Sequence, residues 1–199
     1  MAQGLRVLFL SSNRVFDGSV RFVPADTRVS PICAYGRQKA QVEAAMLAQL
    51  SRGAPLAIAR FTKVVSLKTP LIAGWIDALS RGDAVTAFRD VVVAPLPVDI
   101  VSRAISDLLR EEARGIFQLS GPEDHPYVDI ANYIAKKLDA DANLVRSSSA
   151  KGASLPGGSI RLHTTLDSGR LNELCGITAP DAWAVIDHIL AERQTVSAR

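Results

Sequence analysis

The sequence predicts an α/β protein, a parallel sheet with helices packed over it. Two observations carry that prediction. Short apolar runs alternate along the chain with longer segments of helical composition. Gly, Pro or small polar residues stand at most of the junctions between them.

Taken in order, residues 5–10 (Leu-Arg-Val-Leu-Phe-Leu) are a short apolar run ending at Ser11, Ser12 and Asn13, which suits a buried parallel strand. Before it, Gly4 reads as the residue just past a helix end, so the chain is expected to begin partway through a larger fold. A polar, Pro-containing loop at 17–31 leads to a helix containing Tyr35 and Lys39. Its body, 38–50, is rich in Ala, Gln, Glu, Leu and Met, with Ala40, Val42, Ala44, Ala45, Leu47 and Ala48 on an apolar face. Gly53 and Pro55 end that helix. Residues 56–61 are a second strand, 70–81 a helix closed by Gly82, and 84–88 and 91–98 are strand-like. Asp99 reads as the N-cap of a helix over 100–113. Gly115 opens a strand over 115–121, and 127–140 and 182–194 are helical. Residues 147–159 read as a mobile surface loop, in which Gly157 and Gly158 lack the strand-to-helix setting of a phosphate loop.

The chain has 199 residues, enough for one domain or one and a half, and its 48% hydrophobic and 22% charged residues fit an ordinary globular protein. The net charge of +3 is spread over isolated basic residues, which argues against a nucleic-acid partner. No apolar stretch approaches the ~20 residues of a membrane span, and the N-terminal apolar core is too short for a signal peptide. Cys33 and Cys175 are far apart and read as reduced thiols, so a cytoplasmic location is expected. His125, His163 and His188 are too dispersed to suggest a metal site.

The chemical question lies at Tyr35 and Lys39. A Tyr and a Lys at i and i+4 often share a helix face and do nothing. Here, however, Ser11 and Ser12 fall at the C-terminal end of the first strand, where open α/β sheets bind ligands. The helix carrying Tyr35 and Lys39 packs beside that strand in such a fold. A Ser hydroxyl, a Tyr hydroxyl and a Lys ammonium suit hydride transfer to or from a carbonyl. The hydroxyls stabilise and protonate the oxygen as charge builds on it, and the ammonium stabilises the tyrosinate. Trp75 and Trp183 read as core, with Trp75 also a candidate to line the substrate site. Arg89 and Asp90 are open between a surface turn and a substrate contact.

The segment from Ser11 to Ser19 (Ser-Ser-Asn-Arg-Val-Phe-Asp-Gly-Ser), followed by Tyr35-Gly36-Arg37-Gln38-Lys39 and a Glu-containing helix, resembles the extended short-chain dehydrogenase/reductase family. More narrowly, it is similar to dTDP-4-dehydrorhamnose reductases and related sugar-nucleotide-binding proteins. Weaker likenesses continue at 58–65, 75–109, 115–123 and 166–171, spanning nearly the whole chain. The resemblance implies the C-terminal part of a Rossmann-type parallel sheet with a small α/β substrate domain. Residues 1–66 would be the second half of the NAD(P)-binding domain. Residues 67–199 would be the substrate-binding part, with about 84–120 returning to the sheet.

The resemblance also implies NAD(P)H-dependent reduction of a 4-keto nucleotide sugar. Ser12, Tyr35 and Lys39 would be catalytic. Ser11, Tyr35, Lys39, Phe61 and Thr62 would lie at the cofactor, and Ser12, Asn13, Val15 and Arg89 at the substrate. A nucleotide-sugar epimerase or dehydratase uses the same trio, and the family also contains non-catalytic, regulatory members. Asn13-Arg14 replaces the family's usual Asp-Tyr, and its N-terminal Gly-x-x-Gly-x-x-Gly, which wraps the cofactor pyrophosphate, is absent from these residues. Weak cofactor binding by this chain alone is therefore expected. So is an open apolar edge on the first strand, inviting a homodimer or a complementing chain.

Overall fold

A computed structural model of the chain describes residues 5–153, 158 and 160–197. The helix end expected at Gly4, and Gly157 with much of the Ser/Gly-rich stretch, lie outside the described residues.

The first strand, β1 (Val7–Ser12), ends in a 3-10 turn over Asn13–Val15. After the polar loop, helix α1 (Ala34–Leu50) leads back to β2 (Leu56–Phe61). The chain continues through β3 (Lys63–Val65), α2 (Pro70–Ser80), β4 (Val85–Phe88), β5 (Val92–Val93) and β6 (Pro95–Pro97). Then come α3 (Val98–Arg110), β7 (Gly115–Leu119), β8 (His125–Pro126), α4 (Tyr127–Lys137), β9 (Val145–Ser148), α5 (Gly169–Cys175) and α6 (Ala182–Ser197).

Among the described residues the main sheet has three parallel strands in the order β1-β2-β7. Val7 lies opposite Leu56 and Ser12 opposite Phe61, while Ala57 pairs with Gly115 and Phe61 with Leu119. β2 is buried along its whole length, as an apolar run between two neighbours should be. β1 differs from the buried strand expected of it. It is an edge among the described residues, and Val7 and Leu10 are 52% and 43% exposed. β4 pairs with β9, outside the main sheet, so the start of the presumed surface loop is instead a strand through Ser148. β3 pairs with β6 and β5 with β8.

Apolar side chains gather in separate clusters. Phe61, Leu96, Val101, Leu108, Phe117, Leu119 and Leu171 pack β2 and β7 against α3 and α5. Ile72, Trp75, Ile76, Ile130, Ile134, Ile186 and Ile189 join α2, α4 and α6. Val15, Phe16, Val23 and Leu166 close a small third cluster beside the 3-10 turn.

Two helices correct their sequence reading. Asp99 does not cap α3. Pro97, held extended at φ −71° and ψ 144°, precedes the helix, which starts one residue before Asp99. Asp99 instead sits in the first turn, where its charge opposes the positive end of the helix dipole. On α1, Val42 and Leu47 are exposed, and the buried positions are Gly36 and Glu43. The expected apolar face is therefore not the one α1 turns inward; its inward face carries a carboxylate.

That carboxylate is fully engaged. Glu43 faces Arg60 of β2, with Arg60 Nη2 2.7 Å from Oε2 and Nε 3.0 Å from Oε1, and Ser11 Oγ donates to Oε1 at 2.5 Å. Arg60 Nη1 also donates to the Ala25 carbonyl at 3.0 Å and to Gln118 Oε1 at 3.1 Å. This network bolts α1 to the sheet immediately behind Ser12. No helix among the described residues is long and apolar enough to cross a membrane.

Candidate active site

A cleft of about 590 Å³ opens beyond the C-terminal ends of β1 and β2. Ser12, the last residue of β1, lines it; its Oγ accepts from Arg14 N at 3.2 Å and reaches Asn13 Oδ1 at 3.3 Å. Asn13 lines it too and is fixed by Nδ2 donating to the Thr164 carbonyl at 2.9 Å. Tyr35, in the first turn of α1, lines the same cleft and is half exposed.

Local sequence places Tyr35 there. Cys33 caps α1, its Sγ accepting from Gly36 N at 3.3 Å. Gly36 permits the approach: a Cβ built on it would stand 2.1 Å from the Arg14 carbonyl oxygen. Only a residue without a side chain lets the helix start press against the turn that carries Ser12 and Arg14. One turn further on, Lys39 does not line the cleft. Its Nζ donates to the Leu10 carbonyl at 2.8 Å and lies 4.7 Å from the Phe9 ring centroid and 5.6 Å from that of Tyr35. Its charge is thus presented to the back of the Tyr35 ring, within cation–π range.

Thr62, just after β2, also lines the cleft, and its buried Oγ1 has no hydrogen-bond partner. The other expected contacts are not brought there. Ser11 is buried against Glu43, and Phe61 belongs to the core of the main sheet. Val15 is fully buried in the small third cluster. Arg89 is exposed at the end of β4, its backbone N–H bonded to the Ser148 carbonyl. Asp90 closes the turn beside it, accepting from Ser149 Oγ and Ala150 N; the Ser149 hydroxyl and then the Ala150 N–H hold its carboxyl below the ordinary range.

The opposite wall was not legible in the sequence, apart from Trp75. Tyr127 meets Trp75 edge-on at 5.9 Å between centroids, and both line the cleft with Phe88 and Val92. Burial raises the Tyr127 phenol above its usual range, partly offset by the nearby Arg14 guanidinium. Arg161 is 8% exposed; burial, then the charge of Arg14, lower its pKa to about 10. Nothing in the local sequence marks it, because its neighbours in space lie some 150 residues earlier, with Nη1 donating to the Asn13 carbonyl at 3.2 Å. Among the described residues, no group of three His, Cys, Asp or Glu side chains is placed to hold a metal ion.

Comparison with known proteins adds the following. A family model described as the RmlD substrate binding domain matches residues 1–194. A search of curated protein sequences found no match. Among solved structures, a dTDP-glucose 4,6-dehydratase from Bacillus anthracis in complex with NAD is similar at TM-score 0.80 and 14% identity, over 94% of this chain and 61% of that one. A dTDP-glucose 4,6-dehydratase from Streptomyces venezuelae with NAD and TYD bound gives 0.77 and 20%, over 95% and 60%. A dTDP-4-dehydrorhamnose reductase from Bacillus anthracis in complex with NADP gives 0.78 and 15%, over 95% and 66%. These identities show a shared Rossmann-type α/β fold. The chain spans roughly three fifths of the first two relatives' length, 61% and 60%.

Proposed function

Because this chain belongs to the family of the RmlD substrate binding domain, we propose that it forms the catalytic and substrate-binding part of a nucleotide-sugar oxidoreductase using NAD(P)H. The reaction we favour is reduction of a 4-keto sugar nucleotide, as in dTDP-4-dehydrorhamnose reductases. The observation that carries this reading is the placement of Ser12 and Tyr35 on one cleft, with the Lys39 ammonium behind the Tyr35 ring.

In this reading the keto oxygen accepts a hydrogen bond from Ser12 Oγ. The Tyr35 phenol hands its proton to that oxygen as charge develops there. Lys39, anchored on the Leu10 carbonyl, offers positive charge to the tyrosinate left behind. The nicotinamide, when bound, supplies the hydride to the carbonyl carbon. Thr62 fits its ribose end, having an unpartnered hydroxyl just past β2 on the same cleft as Tyr35. Asn13 and Trp75 shape the sugar's side of the cleft. Residues 1–66 serve mainly the cofactor and 67–199 mainly the substrate. A cytoplasmic location and pairing with a second copy or a complementing chain belong to the same proposal.

The test is turnover by the whole protein with NADPH or NADH and dTDP-4-keto sugars, followed by nicotinamide absorbance. We expect cofactor oxidation that Tyr35→Phe abolishes. Sugar conversion without net cofactor oxidation would point to the epimerase or dehydratase chemistry. One feature favours a second, non-catalytic reading: Lys39 is already bonded to Leu10 and stands off the cleft. Tight sugar-nucleotide binding with no turnover would establish it.

A further inference from the structure

Ser12 and Tyr35 reach one cleft from different elements, so their separation depends on how α1 is set along β1. Apolar packing does little of that setting. The buried positions among the 17 residues of α1 are Gly36 and Glu43. Lys39 ties α1 to the Leu10 carbonyl, but through a long and exposed side chain. Glu43 stands two helical turns after Tyr35 and accepts from Ser11 Oγ at 2.5 Å, and Ser11 is the residue before Ser12. One buried carboxylate therefore joins the two segments that carry the reacting hydroxyls. From β2, Arg60 meets it with Nε at 3.0 Å and Nη2 at 2.7 Å. Arg60 is itself held by the Ala25 carbonyl and by Gln118, whose Nε2 donates to the Val23 carbonyl at 2.8 Å.

A buried ion pair adds little net stability over apolar side chains of the same shape; its best-attested use is to fix one arrangement among competing ones. Charge-assisted hydrogen bonds hold to narrow limits of distance and angle, whereas apolar contacts tolerate sliding. Tyr35 is 51% exposed, so its own surroundings do little to fix it, and its place follows from that of the helix. The setting matters to chemistry, because a misplacement of about 1 Å can cost on the order of a hundredfold in rate.

We propose that Ser11, Glu43 and Arg60 are positioning residues, which pin α1 on β1 and β2 in the one register that brings the Tyr35 phenol to the carbonyl oxygen held by Ser12. The inference deepens the oxidoreductase reading and rests on it for the reaction. None of the three lines the cleft, so they act through Ser12 and Tyr35 and touch no substrate themselves. The Ser11 hydroxyl, turned toward α1 and away from the cleft, gains its role here. Positioning differs from stability in one respect: apolar replacements of Glu43 and Arg60 recover stability without recovering the register.

The experiment labels the whole protein with meta-fluorotyrosine and records fluorine NMR spectra, with Tyr35→Phe identifying the Tyr35 signal among the three tyrosines. Ser11→Ala removes the link between strand and helix and leaves the Glu43–Arg60 pair intact. Glu43→Leu with Arg60→Met removes both charges together. Melting curves measured alongside identify the folded variants, and Ser11→Ala keeps the test available if the double variant does not fold. We expect each folded variant to shift or split the Tyr35 signal and to leave that of Tyr133 in place. Leu108→Val, buried beside the N-terminal ends of β1 and β2, is the destabilised control and should leave the Tyr35 signal unmoved. In turnover of a 4-keto sugar nucleotide, kcat should fall about tenfold or more while KM changes less than about twofold, the pattern of a displaced reacting group. A native Tyr35 signal or an unchanged kcat in a folded variant overturns the positioning role. If the native protein turns over nothing, the oxidoreductase reading falls instead, and the Tyr35 signal still decides the register.

Discussion

Replacing Glu43 by Gln tests how α1 is held to the sheet. Glu43 and Arg60 side chains are 2% and 1% exposed, and their closest approach is 2.7 Å. The substitution keeps the shape and removes the negative charge. Arg60 then keeps its bonds to Ala25 and Gln118 and its position over Phe16, 4.9 Å from that ring, but it becomes a buried cation without a counter-ion. Breaking one side of a buried pair costs about 3–5 kcal/mol, a large part of a typical total near 5–15 kcal/mol. With a urea slope of about 2 kcal/mol/M, the unfolding midpoint should fall by roughly 1.5–2.5 M. The double substitution Glu43→Leu with Arg60→Met removes both charges and should cost less than the sum of the single changes. Urea unfolding followed by circular dichroism measures all of these. A fall of less than about 0.5 M for Glu43→Gln, which is about 1 kcal/mol at that slope, would refute the claim that this pair fastens the helix.

Three other outcomes are expected. Gly36→Ala should destabilise the protein by about 1–3 kcal/mol and lower its melting temperature, since the new Cβ would meet the Arg14 carbonyl at 2.1 Å; an unchanged melt would show that the turn yields freely. Tyr127, its pKa raised by burial, stabilises the fold fully below the ordinary Tyr value near 10 and loses that contribution as pH climbs through its higher folded value. Alkaline melts should therefore fall more steeply for the native protein than for Tyr127→Phe, and parallel curves would contradict this. A polypeptide of these 199 residues, without a Gly-x-x-Gly-x-x-Gly loop, should bind NADPH at least about a hundredfold more weakly than a complete dinucleotide site, two or three phosphate contacts of roughly 1.5–3 kcal/mol each being absent. Micromolar binding in a fluorescence titration would disprove it.

What the sequence reveals and conceals divides on physical lines. β2 and β7 were legible as short, mostly apolar runs opened by Pro55 and Gly115, and α1 and α2 because Gly and Pro punctuate them. The inward face of α1 was not, because Ala counts as apolar without committing a residue to the core. Glu43 is buried through Arg60 and Ser11, partners far from it in sequence. Similarly, the Ser-rich β9 hides its pairing with β4, since its hydrogen bonds come from the backbone. Chemistry and spacing pointed to Ser12 and Tyr35, which line one cleft, while Arg161 and Tyr127 enter that cleft by long-range folding that leaves no local trace.

The single-sided pairing of β1 has a consequence for its amide protons. In a strand bonded on one flank, successive N–H groups point alternately toward the neighbour and away from it. Those of β1 that face β2 are locked in the ladder, whereas the alternate set points to the side with no strand among the described residues. Deuterium uptake along residues 7–12 should therefore run in an every-other-residue rhythm of slow and fast exchange. Any chain that lays a strand along that flank would silence the fast set and leave the slow set untouched. The rhythm itself thus reports whether the flank is covered, without any need to know by what.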